Sequence, residues 1–225
     1  TKKKYLRDFF SEKDLNKRGS WVYYPRTHQL VHILEEDLFF ELRTARNRNL
    51  ITEREQQLFH NAVIGIAGLS VGYSVLNAIV LSGGPKVIRI ADPDAVSLSN
   101  LNRLNTSVTA IGRNKAHVAA EKMWLIDPYS EYEIWNEGLT FQTADKFLMK
   151  EPGLNILIEE MDDLVLKIYL RKRARQHHIP VLMATDNGDG ILIDVERFDI
   201  EPNRPLFHGR IDETEFDRKR LEKGL

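Results

Sequence analysis

Six short apolar runs alternate with helical stretches from about residue 60 onward, and this alternation constrains the fold more than any other feature. The runs are "AVIGIAG", "KVIRIAD", "EYEIWNE", "NILIEEM", "PVLMAT" and "ILIDVERF". Between them lie stretches such as "SVLNAIVL" and "KAHVAAEKMWLI", which favour helices. Near-continuous apolar strands separated by helices are typical of a mostly parallel sheet that is buried on both faces. We therefore predict an α/β fold, a Rossmann-like doubly wound sheet with helices on both faces.

The chain is predicted to have three parts. Residues 1–50 combine Lys/Arg clusters, the aromatic patch "WVYYP" and the helically spaced "LEEDLFFELRTAR", so we expect an N-terminal arm that ends in a helix. Residues 51–200 hold the Rossmann-like domain. Residues 201–225 are polar and contain prolines, and we expect an exit segment or a linker, which can lead to a further domain. The basic run "RKRAR" is predicted to be a solvated helix face.

Composition removes several classes of function. The 225 residues include no cysteine, which excludes disulfides, a cysteine zinc site and a thiol nucleophile within this sequence. The lack of cysteine also fits a reducing compartment, and we expect a cytoplasmic protein. The formal net charge of -1 gives no bulk attraction to nucleic acid or to an anionic membrane. No run of about 18 apolar residues is present, so no membrane-spanning helix is expected.

A glycine-containing loop follows the first predicted strand of the domain, in "VIGIAGLSVGYS". Gly65, Gly68 and Gly72 would let backbone N–H groups approach a phosphate at the start of the next helix. The dinucleotide fingerprint requires glycines at positions 65, 67 and 70, and this chain has Ala67 and Ser70 at two of them. A tight turn without a ligand is the alternative interpretation of this loop.

The segment after the second strand, "IADPDAVSLSNLNRL", is rich in groups that can hold a ligand. Asp92 ends the strand and can accept hydrogen bonds from a ribose, and Asp94 can do the same or cap the turn. Asn100, Arg103 and Lys115 follow, and cations of this kind neutralise the charge of a triphosphate during phosphoryl or nucleotidyl transfer. Alternatively, Arg103 and Lys115 are solvated surface charges.

Acidic residues end the fourth strand, in "NILIEEMDDL". Ligands of open α/β sheets bind at the carboxyl ends of the strands, and Mg²⁺ takes one or two carboxylates together with phosphate oxygens. Asp162 or Asp163 can be that ligand, while the other caps the following helix. Helix capping by both residues is the alternative.

The run "DPDAVSLSNLNR" followed by "GRNKA" resembles the adenylating superfamily of ThiF, MoeB and the ubiquitin-activating enzymes. The resemblance covers about residues 43–197. It implies ATP and Mg²⁺ as cofactors, with Asp92 on the ribose hydroxyls and Asp162 on the metal. It also implies that Asn100, Arg103 and Lys115 contact the phosphates. Together with the residues of the glycine loop and the second strand end, the predicted cofactor-binding set is Gly65, Gly68, Ser70, Gly72, Asp92, Asp94 and Asn100.

The segment "LRTARN" resembles the Arg-x-x-Arg segment of the same family, in which the second arginine reaches the nucleotide site of a partner subunit. That position is Arg46, and it implies a homodimer or an equivalent pseudo-dimer. The chain departs from the family pattern at Ala67 and Ser70, where the family has glycine, and at Glu159, where it has aspartate. The runs "GLSVG", "EEMDDL" and "DVERFD" resemble a bacterial branch in which a ThiF-like domain is joined to a nitroreductase-like domain.

The predicted function is ATP-dependent adenylation of a carboxylate, at a peptide or protein C-terminus or on a small acid. Because the sequence has no cysteine, no thioester can form on this chain. Two alternatives remain. The first is an oxidoreductase domain that binds NAD(P) or FAD through the same type of loop. The second is a nucleotide-binding or docking module without catalytic activity in a larger protein, which the altered glycine loop favours.

Overall fold

The computed structural model describes residues 18–222, and the chain divides into two compact units between Glu53 and Arg54. The first unit contains a β-hairpin and the predicted helix, which ends two residues before Arg46. The elements of this unit are strand β1 (Ser20–Tyr24), strand β2 (Gln29–Ile33), helix α1 (Glu36–Thr44) and a short 3₁₀ turn (Asn47–Asn49).

The hairpin was not predicted from the sequence, because "WVYYP" was assigned to an arm without strands. β1 and β2 pair antiparallel, with Trp21 opposite His32. The rings of these two residues stack at a centroid distance of 4.4 Å, and Trp21 is 55% exposed. Trp21 therefore stabilises the hairpin through a cross-strand contact while its outer face stays in solvent.

The second unit has the predicted alternation of strands and helices, and all six predicted strands are present. Its elements are α2 (Glu53–Asn61, starting at the boundary), β3 (Val63–Ala67), α3 (Val71–Leu81), β4 (Val87–Ala91), α4 (Lys115–Trp124), β5 (Glu131–Trp135), α5 (Ala144–Met149), β6 (Ile156–Glu159), α6 (Leu164–Gln176), β7 (Val181–Asn187), β8 (Gly190–Glu196) and α7 (Glu213–Glu222).

The strands form one mixed sheet in the order β5-β4-β3-β6-β7-β8. Every neighbouring pair is parallel except β7 and β8, which are antiparallel. The chain moves outward from β3 through β4 to β5 and then returns to the other side of β3 with β6. This reversal between β3 and β6 is the topological switch point at which open α/β sheets bind their ligands. The predicted Rossmann-like architecture is confirmed.

Two apolar clusters cover the two faces of the sheet. On one face α3 and α4 pack on the strands, with Leu76 and Met123 at the centre of the contact. On the other face α5 and α6 pack through residues such as Phe147 and Leu170. The central strands β3, β4 and β6 are buried on both faces, which explains their near-continuous apolar runs, whereas Ile191 and Ile193 of the edge strand β8 are exposed. Among residues 18–222, no helix is long and apolar enough to cross a membrane.

The described part of segment 201–225 is folded against the sheet, which the expected exit segment or linker did not anticipate. Leu206 is fully buried in the cluster formed with α5 and α6. Arg175 of α6 binds Glu213 of α7 through both Nη atoms, at 2.8 and 2.6 Å. The polar, proline-bearing composition of this segment did not indicate that Leu206 is buried and that Phe207, Ile211 and Phe216 pack against the same cluster.

The expectation that "RKRAR" is a solvated helix face was wrong for its first residue. Arg171 is fully buried and lies 3.3 Å from Glu159, 3.1 Å from Asp194 and 2.8 Å from Glu196. Its guanidinium also stacks over the ring of Phe207, 4.1 Å from the centroid. Because a buried charge is costly without partners, the acids of β6 and β8 account for its position inside the fold.

Candidate functional site

The glycine loop lies where the ends of β3, β4 and β6 meet. The N–H of Gly68 donates to the carbonyl oxygen of Ala91 at 2.8 Å. Gly68 has a φ of +91°, and a Cβ on it would lie 2.4 Å from the carbonyl oxygen of Glu160. Only glycine fits this backbone conformation and this close approach. The loop is therefore held between the end of β4 and the end of β6, at the switch point.

The other two predicted glycines are explained by packing. A Cβ on Gly65 would lie 2.4 Å from Cδ1 of Leu154, and one on Gly72 would lie 2.9 Å from Cγ2 of Ile66. Gly72 thus brings α3 close to β3, while Gly65 admits side chains from the opposite face of the sheet. These contacts account for both residues without a ligand.

Asp92 joins the glycine loop to the end of β4. Its Oδ2 accepts from the N–H of Leu69 at 2.7 Å, and its Oδ1 accepts from the N–H of Asp94 at 2.8 Å. Burial raises the pKa of Asp92, while the two backbone donors and the nearby Lys115 act in the opposite direction. The carboxyl group is thereby fixed in orientation beside the first residues of α3.

Lys115 brings a cation to this acidic corner. Its Nζ lies 2.8 Å from Oδ2 of Asp94 and 3.8 Å from Oδ1 of Asp92. The lysine is only 7% exposed, so the alternative of a solvated surface charge is excluded for it. Asp94, for which a ribose contact and a turn cap were both open, is the direct ion-pair partner.

Asn114 is a structural residue of this corner that was missed in the sequence. Its Oδ1 caps α4 by accepting from the N–H groups of Ala116 and His117. Its Nδ2 donates to the carbonyl oxygens of Asp92 and Asn136, at 2.8 and 3.1 Å. One side chain thus fixes the segments that follow β4 and β5. An asparagine directly before a predicted helix is a known capping signal and could have identified it.

The long segment between β4 and α4 folds back on itself. Oδ1 of Asn100 accepts from both the N–H and the hydroxyl of Ser97, at 2.9 and 3.0 Å. The hydroxyl of Tyr73, on α3, donates to the carbonyl oxygen of Asn105 at 3.0 Å. The oxygen of Asn100 is thus engaged within the segment, and its amide nitrogen is the atom that can meet a phosphate.

Arg103 reaches from this segment to the start of α3. Its Nε donates to Oγ of Ser70 at 2.7 Å, and its Nη1 donates to Oδ1 of Asn102 at 2.9 Å. Two residues predicted for the same site are therefore in direct contact. The arginine is exposed, so its charge is available to a bound anion.

The acids after β6 have different roles. Oδ1 of Asp163 caps α6 by accepting from the N–H groups of Val165 and Leu166, at 3.0 Å each. Oε2 of Glu159 lies 3.2 Å from Nζ of Lys167, in addition to its contact with Arg171. Asp162 is exposed, and within the described residues no side chain binds its carboxylate. Of the two aspartates considered for a metal, the structure assigns helix capping to Asp163 and leaves Asp162 available.

The structure thus brings Gly68, Ser70, Asp92, Asp94, Arg103 and Lys115 to one edge of the sheet, around the start of α3. Asn100 belongs to the turn that carries Arg103, whose N–H donates to the carbonyl oxygen of Asn100. Asp162 lies two residues after Glu160, whose carbonyl oxygen is next to Gly68. Arg46 belongs to the other compact unit. Within residues 18–222, no group of three or more His, Cys, Asp or Glu side chains is arranged to hold a metal by itself.

The fold is of the Rossmann-like class, and a glycine turn at the switch point, an acid at the end of β4 and two cations at the same edge are features typical of nucleotide-binding members of that class. The particular family follows from comparison with known proteins. The model of the ThiF family matches residues 44–204, and the chain belongs to this family.

Relatives and solved structures agree with this membership. An uncharacterized protein of Mycobacterium tuberculosis is 41% identical over 204 residues, which cover 91% of this chain and 28% of that protein. The tRNA threonylcarbamoyladenosine dehydratase of Bacillus subtilis is 24% identical over 80% of this chain and 71% of its own length. The crystal structure of the E. coli tRNA N6-threonylcarbamoyladenosine dehydratase in complex with ATP is 25% identical, with a TM-score of 0.63, covering 71% of this chain and 65% of that one. The chain spans about a quarter of the first of these relatives.

Proposed function

We propose that the chain uses ATP to adenylate a carboxylate. The observation that carries this proposal is the convergence of Arg103, Lys115 and Asp92 on the start of α3, at the switch point of a ThiF-family sheet. A triphosphate needs cations and backbone donors at one place, and this edge supplies both. Solved relatives that hold ATP and AMP support ATP as the substrate.

Each residue has a proposed role that follows from its position. Asp92, fixed by two backbone N–H groups, is suited to accept hydrogen bonds from the ribose. The N–H groups at the start of α3 face the phosphates, together with the amide nitrogen of Asn100. Arg103 and Lys115 stabilise the negative charge that develops on the phosphate oxygens. Asp94 orients Lys115 through their ion pair.

The residues after β6 fit a magnesium ion that is bound together with the nucleotide. Mg²⁺ prefers one or two carboxylates and completes its shell with phosphate oxygens and water. Asp162 offers a carboxylate that no described side chain engages, whereas Asp163 is used for capping. Asp162 would therefore hold the ion, which supplies neutralisation of the triphosphate charge.

The proposed reaction needs no side-chain nucleophile. An oxygen of the acceptor carboxylate attacks the α-phosphorus of ATP, the bond between that phosphorus and the bridging oxygen breaks, and pyrophosphate leaves. The product is an acyl-adenylate. The protein aligns the two reactants and stabilises charge, which are the main contributions available to this chemistry. A chain without cysteine is suited to stop at this product or to pass it to another group.

The proposed acceptor is a carboxylate, either at the C-terminus of a peptide or protein or on a small acid. We also propose that the protein is cytoplasmic and that the ThiF-like domain is joined to a nitroreductase-like domain. A homodimer is also proposed, in which Arg46 of one copy serves the nucleotide site of the other. The support for Arg46 is its match to the family's Arg-x-x-Arg segment.

A pyrophosphate-exchange screen tests the proposal. The full chain is incubated with ATP, Mg²⁺ and labelled pyrophosphate, together with peptides that have free C-termini, small acids and carboxylate-bearing modified nucleosides. We expect exchange with at least one class of carboxylate. Absence of exchange with every class, despite ATP binding, would support the alternative of a nucleotide-binding or docking module, which Ala67 and Ser70 in the glycine loop favour.

Arg103→Ala provides the matched variant for this assay. We expect exchange to slow by about 10²–10³-fold, the usual effect of losing one preorganised donor that stabilises charge. Arg197→Ala is the control. Arg197 is exposed and pairs with Asp199. It follows β8, which runs antiparallel to the other strands, so it lies at the edge of the sheet opposite to the candidate site. Exchange at an unchanged rate in Arg103→Ala would reject the assigned role. Calorimetry with ATP–Mg²⁺ against NAD(P)H and FAD separates the proposal from the oxidoreductase alternative.

A further inference from the structure

Ser70 occupies the N-cap position of α3 but does not cap the helix. A serine at this position normally accepts a hydrogen bond from the second or third N–H group of the helix. In this structure the side chain of Ser70 makes no capping hydrogen bond, and its Oγ accepts from Nε of Arg103 at 2.7 Å. The hydroxyl is therefore turned from its usual partner toward the arginine.

The two other long helices that begin at this edge of the sheet are capped in the ordinary way. Asn114 caps α4, and Asp163 caps α6, each by accepting two backbone N–H groups. At α3 the first N–H groups are left without a side-chain acceptor, and this is the helix that follows the glycine loop. Phosphate oxygens can take the place of the missing cap.

The contact with Ser70 also fixes how the guanidinium of Arg103 is presented. Nε is bound by Ser70, and Nη1 donates to Oδ1 of Asn102 and, at 3.4 Å, to the carbonyl oxygen of Ser99. Among the described residues, Nη2 donates to no protein atom. Because the guanidinium is a rigid planar fork, binding two of its three nitrogens determines where the third points.

We propose that Ser70 is a positioning residue that orients Arg103 for the triphosphate and leaves the start of α3 open for phosphate oxygens. This inference rests on the proposed ATP-binding function. It gives a physical reason for one departure from the family pattern, because glycine at position 70 has no hydroxyl to hold the arginine. Ser70 acts through Arg103, and no direct contact with the nucleotide is required.

The binding of ATP–Mg²⁺ by the full chain, measured by calorimetry, tests the proposal with three variants. Ser70→Ala should weaken binding about 3- to 10-fold, the range expected when one hydrogen bond of a charged group is lost. Ser70→Thr keeps the hydroxyl and should bind within about twofold of the wild type. Ser82→Ala removes a serine hydroxyl from the other end of the same helix, where it bonds to the carbonyl oxygen of Ala78, and should bind like the wild type.

Thermal unfolding separates positioning from capping. If Ser70 capped α3, Ser70→Ala would lower the Tm by about 2–4 °C, as expected for the loss of a helix cap in a chain of this size. We expect the Tm of Ser70→Ala to match that of Ser82→Ala, while ATP affinity falls only in the former. A lower Tm with unchanged affinity would overturn the proposal.

A double mutant gives the sharpest outcome. Because Ser70 acts through Arg103, Ser70→Ala should have no further effect on ATP affinity when Arg103→Ala is already present. Additive losses would overturn the positioning role. The adenylation proposal can fail while the role of Ser70 stands. In that case the wild type binds ATP but exchanges pyrophosphate with no carboxylate, and the ATP affinities of the variants still decide the role of Ser70. A wild type that does not bind ATP overturns both.

Discussion

At the scale of single residues, Glu160 has the environment with the clearest consequence for the behaviour of the protein. It directly follows β6, is 9% exposed, and its Oε1 accepts from the N–H of Ala184 at 2.7 Å. Burial raises the pKa of Glu160 to about 7, against the lowering effect of that N–H group and of Lys167. The backbone carbonyl oxygen of Glu160 lies next to Gly68. The residue with the raised pKa is therefore adjacent to the glycine loop.

Glu160→Gln should make the protein more stable at pH 8. The folded-state pKa of about 7 lies above the ordinary value of 4.5, so the folded state binds the proton more tightly than the unfolded state. The stability of the wild type therefore falls as the pH rises from about 4.5 to about 7. Glutamine keeps the acceptor for Ala184 without this cost. We expect the free energy of unfolding in urea to rise by about 1–3 kcal/mol at pH 8 and to be nearly unchanged at pH 4.5.

Glu133→Gln is the control with the opposite sign. Burial raises the pKa of Glu133, but its contacts with Lys150 and Arg89 outweigh burial and hold the pKa below the ordinary value. The ionised form stabilises the fold above the unfolded-state pKa, so Glu133→Gln should be less stable than the wild type at pH 8. Equal effects of the two substitutions at pH 8 would contradict the assigned environments.

The candidate residues themselves could be predicted from the sequence, but most of their partner atoms could not. Asp92, Arg103 and Lys115 were identified because acids at strand ends and cations nearby suit a triphosphate. The hydrogen bond between Arg103 and Ser70 joins residues 33 positions apart and depends on how the segment after β4 folds back. No local pattern encodes such a contact. Asn114 is the opposite case: its capping signal is local and could have been recognised, but the residue was missed.

At the scale of elements, a buried arginine holds the end of a helix against the sheet. Arg89 of β4 is fully buried, and its Nε donates to Oε2 of Glu133 on β5 at 2.9 Å. Its Nη1 donates to the carbonyl oxygen of Phe147 at 2.9 Å, and its Nη2 donates to those of Lys150 and Pro152. The guanidinium thus binds carbonyl groups of the last turn of α5 and of the segment directly after it.

Arg89→Met should destabilise the protein by about 3–5 kcal/mol, because buried carbonyl groups lose their donor and Glu133 loses its buried cation. Arg113→Met is the matched control. Arg113 pairs with Glu121 where both side chains are partly exposed, and we expect a loss of about 0–1 kcal/mol. Urea denaturation of both variants at pH 7 measures the difference. Similar losses for the two variants would show that the buried contacts of Arg89 are not the stabilising ones.

The elements that the sequence did not reveal share one property. The six strands of the sheet were predicted because each is an apolar run of the length expected for a buried strand. Neither the hairpin β1–β2 nor the helix α7 contains such a run: Trp21 and Tyr23 of β1 are each 55% exposed, and the sequence of α7, ETEFDRKRLE, is mainly charged. Arg89 and Arg171 lie within a predicted strand and a predicted helix, yet their complete burial depends on acids and carbonyl groups from distant segments.

At the scale of the whole molecule, the last strand of the sheet is tied to the edge that carries the site. Arg171 of α6 binds Glu159 at the end of β6 and also Asp194 and Glu196 of β8. The segment after β8 adds to this connection, since Phe207 covers the guanidinium. The second compact unit therefore contains the edge proposed to bind the nucleotide, together with the contacts that support it. What it lacks, under the proposed function, is the second arginine of the Arg-x-x-Arg segment, which lies in the first unit.

Hybrid dimers test whether Arg46 acts on a second copy. Arg46→Ala and Arg103→Ala should each be nearly inactive in pyrophosphate exchange as separate homodimers. When the two are co-expressed, half of the dimers combine one chain of each kind, and each of these has one site with both arginines intact. For an isologous dimer we therefore expect recovery to about a quarter of the wild-type rate.

The matched control co-expresses Arg103→Ala with Lys115→Ala. Both residues lie at the same edge of the same chain, so every hybrid site lacks one of them and no activity should return. Failure of the Arg46→Ala and Arg103→Ala pair to recover, with hybrid dimers present, would place Arg46 at the site of its own chain. If the wild type is a monomer in solution, the proposed contribution of Arg46 from a second copy is rejected. Recovery with the first pair but not with the control pair requires that Arg46 of one chain completes the site of the other chain. Each mutant chain lacks one of the two arginines, so neither chain can form an intact site from its own residues.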